Sequence, residues 1–312
     1  MSEARMTTFS ISEDNPFQVL IAESNDDPAQ LQLRYETHRM NRNAQQRAKI
    51  LAEDFPGWSL DEILRRLDGP AKEEGYLDPR NCLVIWARPP PHIRDMIAFV
   101  QSELKDVAPS IWLMPPGNLH TTVLEVAHSL TAVQIEELVQ TLKSSKNVTE
   151  ADITGYPLKN QTRLLKPMVS FDSAAIALSF VPAAGEGPAE GSEGHGGQYT
   201  YHHLRRDVFD LVRQTALPVA SRYIVPSAHV TIARFINHDG FLVNQAEGTE
   251  AIDPSQVKLL VDKIYQINEI LASRYWPGAD GSYPKEGEWV VGEDQGLVIR
   301  RGRVWYGGGQ NV

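Results

Sequence analysis

An α+β or α/β fold is what this chain predicts, on three observations. Short runs rich in β-branched residues alternate with stretches whose apolar residues recur every three to four positions. Gly, Pro, Asn and Asp punctuate the junctions between them. No apolar run approaches the ~20 residues that a membrane helix needs. Strands and helices mixed in this way build a layered core, without fixing the order of strands in the sheet.

Residues 1 to about 29 are polar and acidic, broken by Pro16 and Pro28, and predict a flexible arm or peripheral wrap. Gln30 to Phe55 is charged and helix-favouring, with Leu31, Leu33, Met40, Ile50 and Leu51 as sparse apolar points. Ser59 and Glu62 have capping-box spacing and open a helix through Leu67, which Gly69-Pro70 stops. Residues 1–80 thus read as an N-terminal extension, flexible then helical, with no candidate chemistry. Asn81 to Ala87 is a buried strand, ended by Pro89-Pro90-Pro91. Ile93, Met96, Ile97, Val100 and Leu104 fall on one helix face. Ile111 to Met114 is a short strand, followed by a turn at Pro115 to Asn118 and a strand from His120. Thr131 caps the next helix.

Met168 to Phe171 and Ala174 to Val181 read as strands joined by an Asp172-Ser173 turn. Residues 182–198 are almost purely Gly, Ala, Pro, Glu and Ser, which predicts a Gly-rich mobile loop with His195 solvated inside it. Tyr201 to Leu217 is a helix, and Tyr223 to Pro226 leads into a strand with His229. Asp253-Pro254 starts a helix that runs to about Arg274. Trp289 to Val291, Gly296 to Arg300 and Val304 to Tyr306 predict C-terminal strands, with an Arg301-Gly302 turn and a flexible Gly307-Gly308-Gly309 end. The main domain is 81–309.

The chain has 312 residues and a net charge of −10. An acidic chain is a poor non-specific binder of polyanions, whose affinity comes largely from Lys and Arg. A small nucleotide or an RNA end in a locally basic cleft remains compatible with that charge. The single cysteine, Cys82, excludes a disulfide within the chain and reads as a buried small hydrophobe. The N-terminus lacks an apolar signal segment, so a soluble intracellular protein is expected, cytoplasmic or nuclear.

Two triplets carry the chemistry. His120-Thr121-Thr122 and His229-Val230-Thr231 each lie in a strand-like run. Of the nine histidines, these two alone are followed two positions on by Ser or Thr. Strand side chains alternate faces, so His120 shares a face with Thr122, and His229 with Thr231. Two such strands side by side would bring two imidazoles and two hydroxyls into one cleft.

The repeated His-x-Thr on strands resembles the signature of the two-histidine phosphoesterase superfamily, which includes RNA ligase-like proteins, 2′,3′-cyclic nucleotide phosphodiesterases and enzymes that trim RNA 3′ ends. The resemblance spans roughly Asn81 to Gly309. It implies an α+β fold of two pseudo-symmetric sheet-plus-helix lobes around a cleft, each lobe giving one motif. It also implies that His229 activates water and His120 protonates the departing ribose oxygen. The long N-terminal extension and the Gly-rich insertion depart from the family pattern.

Histidine suits proton transfer because its pKa of ~6.5 lies near working pH. Thr122 and Thr231 would donate hydroxyl hydrogen bonds to the phosphate oxygens. Tyr199, Tyr201, Tyr223 and Trp112 are candidates to stack on a base. Arg234 lies on the opposite face of an ideal strand from His229, and only a bulge would bring it round. Arg300, Arg301 and Arg303 make a local basic cluster that reads as a solvated turn in preference to a phosphate contact. His202 and His203, adjacent on a helix, diverge by about 100° and would not share a metal. No metal-ligand cluster or phosphate-binding glycine loop occurs, so no metal and no cofactor are expected. The partner would be a nucleotide with a cyclic phosphate or an RNA end. The competing expectation is a nucleotide- or RNA-binding module without turnover, and a third is an interaction protein using its N-terminal arm.

Overall fold

A proline at the first helical position loses no hydrogen bond, and two prolines open the first two helices. The Asn15 side chain caps α1 (Pro16–Glu23) and Asp27 caps α2 (Pro28–Ile50). The computed structural model describes residues 14–187, 197–221, 223–244 and 250–312. Most of the Gly-rich segment, His195 included, lies outside the described residues. The stretch expected to be an arm is helical from Pro16, and its Phe17 and Ile21 are buried. Phe17 packs edge-on to His202 and Phe209.

In α3 (Glu62–Leu67) the cap is Asp61, which accepts from the Leu64 amide at 3.0 Å. Ser59, expected in that role, instead meets the Ser173 hydroxyl at 3.0 Å. There follow β1 (Asn81–Ala87), α4 (Pro91–Val107), β2 (Trp112–Leu113) and β3 (Thr121–Leu130). Thr131 caps α5 (Ala132–Lys143) in a reciprocal capping box with Gln134. Short helices α6 (Glu150–Thr154) and α7 (Tyr156–Lys159) precede β4 (Arg163–Phe171) and β5 (Ala175–Pro182). Then come α8 (Tyr201–Gln214), β6 (Ala228–Arg234), β7 (Leu242–Asn244), β8 (Glu250–Ile252) and α9 (Pro254–Tyr275). The chain closes with β9 (Trp289–Val290), β10 (Val298–Gly302) and β11 (Gln310–Asn311).

The fold is α+β. Its sheet has the antiparallel order β11-β10-β1-β3-β6-β5-β4-β9, with β2 also pairing β6, while β7 and β8 form a separate hairpin. Strands on either side of the centre meet at one registered pair, Thr121 opposite Val230. The main core takes Leu83 and Ile85 of β1, Leu178 of β5 and Val230 of β6 together with the apolar residues of α4, α5 and α9. The alternate β1 residues Cys82, Val84 and Trp86 form a second, smaller cluster with Val304.

Val304 to Tyr306, expected as a strand, is a turn, and the glycines after it are held rather than loose. Gly307 has φ +79°, and a Cβ there would lie 2.3 Å from the Asn118 carbonyl oxygen. The turn therefore presses on the segment that precedes His120, and Asn118 Nδ2 donates to the Tyr306 carbonyl at 2.8 Å. Arg300 lies in β10 as its strand expectation has it, whereas Arg301 and Gly302, expected in a turn, continue that strand.

Helix α2 crosses β4 and β5 with a polar buried stripe. Arg39 Nη1 donates to the Lys166 carbonyl at 2.6 Å, where β4 bulges and Lys166 takes φ +54°. Asn43 Nδ2 donates to the Val169 carbonyl at 3.0 Å. The Lys166 carbonyl at the bulge, and the Val169 carbonyl on the edge of β4 beyond its pairing with β9, thus find partners on the helix.

His202 is fully buried in α8. Its Nε2–H donates to the Phe17 carbonyl at 3.0 Å, so its Nδ1 accepts from the Tyr35 hydroxyl at 2.9 Å. Burial, reinforced by Arg205, lowers its pKa to about 3. The unfolded ring titrates near ~6.5, so the unfolded state binds more protons below that pH and stability falls as pH drops from there. His202→Gln keeps one donor and one acceptor but cannot titrate. We expect it to melt lower than wild type at pH 7.5 yet to lose less Tm between pH 7.5 and 5.0. An equal loss in both proteins would show that His202 does not set the acid sensitivity.

Candidate anion-binding active site

Antiparallel strands place directly opposed side chains on the same face. Thr121 opposes Val230, so one step either way sets Thr122 opposite His229 and His120 opposite Thr231. The two motifs therefore cross at the centre of the sheet, each histidine beside the other strand's threonine. His120, Thr122, His229 and Thr231 all line one cavity of about 180 Å³.

Bulges bring further residues to this face. Between β5 and β6, Ala177 opposes Thr231 and Ile176 opposes Ala233, leaving Ile232 as the extra residue. The bulge shifts the phase of β6 and turns Arg234 onto the face of His229 and Thr231, where an ideal strand would hold it opposite. Similar shifts between β1 and β3 put Glu125 on the face of Thr122, three residues on.

The imidazoles are anchored differently. His120 stacks on Trp86 with ring centroids 3.8 Å apart. Its Nδ1 lies 2.7 Å from the Asn118 carbonyl, which can only accept, so Nδ1 carries the proton and neutral His120 presents a lone pair at Nε2. Arg88 steadies the same backbone through the Leu119 carbonyl at 2.9 Å. His229 Nδ1 meets two hydroxyls, Tyr223 at 2.7 Å and Ser227 at 3.0 Å. No hydrogen bond from a described residue occupies either Nε2.

Arg205 holds this arrangement from behind. It is fully buried on α8, and no carboxylate among the described residues pairs with it. Nε donates to the Val123 carbonyl at 3.1 Å, Nη1 to Val225 at 2.8 Å and Nη2 to the Tyr223 carbonyl. It so ties the His120 strand to the loop that carries Tyr223. Removing it would take this donor from the Val123 and Tyr223 carbonyls, at about 1–3 kcal/mol for each left unpaired, while the Val225 carbonyl keeps the Ser227 amide at 2.8 Å.

The field is positive. Burial lowers the His120 pKa to about 3, with Arg88, His229 and Arg300 adding to the effect against the Asn118 carbonyl. Burial lowers His229 to about 4, with Arg205, Arg234 and Arg42 adding. Arg300 and Arg88 lie 5.7 and 4.9 Å from the Trp86 ring centroid. A larger cavity of about 440 Å³ adjoins the first and shares Tyr223, His229, Thr231 and Arg234 with it.

Not every sequence candidate reaches the site. Tyr201 is fully buried in the core, its hydroxyl donating to the Thr122 carbonyl at 3.4 Å. It is a positioning residue, not a base-stacking one. Trp112 pairs with Arg234 in the sheet but donates to Asp68 at 2.9 Å, outside the walls of both cavities. Tyr199 is engaged with Asp207 at 2.9 Å. Conversely, Trp86 and Arg88, and His38, Arg39 and Arg42 of α2, carry no signal in the sequence that marks them as site residues. Ser227, two positions before His229 on an alternating strand, was the one with a readable signal. Among the described residues no group of three or more His, Cys, Asp or Glu is placed to hold a metal ion. No helix among them is long and apolar enough to cross a membrane.

An anion at this site would neutralise the arginines that depress both imidazoles, raising their pKa values. By linkage, binding must then take up protons and tighten as pH falls. Calorimetry with sulfate, which stays a dianion across this range, at pH 7.5 and 5.5 is expected to show proton uptake and higher affinity at pH 5.5. Proton release, or weaker binding at pH 5.5, would contradict the field described here. Compared with models of known protein families and with curated proteins, the chain matches none.

Proposed function

We propose that the protein is a metal-independent phosphodiesterase that hydrolyses a 2′,3′-cyclic phosphate or an RNA 3′-end phosphodiester by two-histidine acid–base catalysis. The observation that carries this reading is the crossing of the two motifs at Thr121–Val230, with both Nδ1 atoms anchored and both histidines and threonines on one cavity. Two strand groups that meet at a single pair, each giving one His-x-Thr, also support the two-lobed architecture that the resemblance implies.

In this mechanism the Thr122 and Thr231 hydroxyls hold the non-bridging oxygens, and Arg234 offsets their charge. The tautomer of His120 favours it as the base that takes a proton from water. Water oxygen bonds to phosphorus, the P–O bond to the ribose breaks, and His229 gives a proton to the departing oxygen. The larger cavity beside His229 has room for the rest of that leaving group. This order reverses the roles that the family resemblance alone implies.

The second reading, phosphate binding without turnover, is favoured by one observation: burial and the arginines hold both rings neutral at pH 7, leaving no ready acid. The pH profile separates the two. With the acid's pKa near 4, kcat/KM on a cyclic nucleotide should fall as pH rises from 5 to 8. His120→Ala and His229→Ala should each cost ~10²–10⁴-fold in kcat with the fold intact by circular dichroism, and a chelator should change nothing. Binding with no turnover at any pH would favour the second reading, and near-wild-type activity in either alanine variant would overturn the mechanism.

A further inference from the structure

The larger cavity has a charge pattern of its own. The small residues Ala175 and Ala177 of β5 form one wall. The other is α2, whose His38, Arg39 and Arg42 fall within about one helical turn. Arg234 also lines it, and Asp172 is the only carboxylate among the described lining residues. In a chain of net charge −10, three guanidiniums on one cavity are a local feature that composition does not supply.

Each guanidinium has a carboxylate partner and donors beyond it: Arg39 gives Nη2 to Glu36 at 2.6 Å and Arg234 gives Nη1 to Asp61 at 3.3 Å. Arg39 is 5% exposed, and its Nε has no hydrogen-bond partner among the described residues. The buried Nε of Arg234 is likewise unsatisfied. Arg42 commits Nη2 to Asp172 at 2.8 Å, and its side chain is 51% exposed. From His229 opposite Ser179 to Arg234 opposite Ala175, β6 runs along the cavity for four steps of β5, roughly 13 Å at ~3.3 Å per residue. That length exceeds what one phosphate needs.

We propose that this cavity binds a second phosphate on the body of the substrate, recognised by Arg42 with Arg39 and Arg234 behind it. The proposal rests on the reading of the histidine cavity as a phosphate site and extends it. The substrate then carries two phosphates: one reacts between the histidines and the other is read by α2. A terminal phosphate on a nucleoside and the internal phosphate of a longer RNA end offer the same chemistry. Arginine suits both because its planar fork donates two parallel hydrogen bonds to phosphate oxygens.

Calorimetry on the full chain tests this with adenosine 3′-monophosphate, adenosine 3′,5′-bisphosphate and a dinucleotide ending in a 3′-phosphate. At least one two-phosphate probe is expected to bind about tenfold or more tighter than the monophosphate, and the one that gains more identifies the source. Arg42→Ala should bring that ratio close to one. Asp172→Asn should raise it, because the competing charge goes while an oxygen remains to accept from the Ala174 and Ala175 amides. A ratio near one in the wild type, or one that neither substitution moves, overturns the second site and leaves the histidine site standing. Failure of all three probes to bind overturns the histidine site itself, and the proposal with it.

Discussion

One strand pairing, Thr121 opposite Val230, governs the functional geometry. Residues more than a hundred positions apart become cross-strand neighbours there, and the two motifs inherit their arrangement from it. Because side chains alternate along a strand, a register slip of one residue would send one histidine into the core and its partner to the cavity. Register at this contact has to be enforced from outside, since the pairing itself is so short. Arg205 does this from α8, joining the β3 backbone at Val123 to the loop at Tyr223 and Val225. The C-terminal turn does it from the other end, with Gly307 against Asn118 and the Asn118 carbonyl in turn fixing His120 Nδ1.

The electrostatics follow from the same construction. Both imidazoles stand against protein on one side and a cavity on the other, so desolvation leads every other influence on their titration. Arginines add to it on both sides of the site. Such a site is poised for a ligand that brings negative charge, because a bound anion would offset the arginines and favour protonation of both rings.

Much of this was legible in the sequence. The apolar runs gave β1, β3 and β6 and the amphipathic spacing gave α4, α5, α8 and α9, because each buries a periodic apolar stripe. The motif histidines and threonines stood out by spacing alone, and the structure sets all four on one face. What stayed hidden depends on long-range contact. α2 buries Arg39 and Asn43 where a hydrophobic pattern would be sought, since they satisfy backbone groups at the β4 bulge and along its edge beyond β9. Arg234 reaches the cavity through a bulge at Ile232 that only the partner strand reveals. Gly307 to Gly309 read as a loose end because the backbone they press against lies far away in the sequence. Tyr201 looked like a stacking residue, but its neighbours place it in the core.

The most direct measurement follows the C2–H resonances of His120 and His229 by NMR while inorganic phosphate is added, with each signal assigned by single His→Gln substitution. If one anion sits between the two rings, both resonances shift along a common curve with one Kd, and neither moves in concert with His202 in the core. Independent curves with separate Kd values, or movement of one ring alone, would contradict a shared pocket.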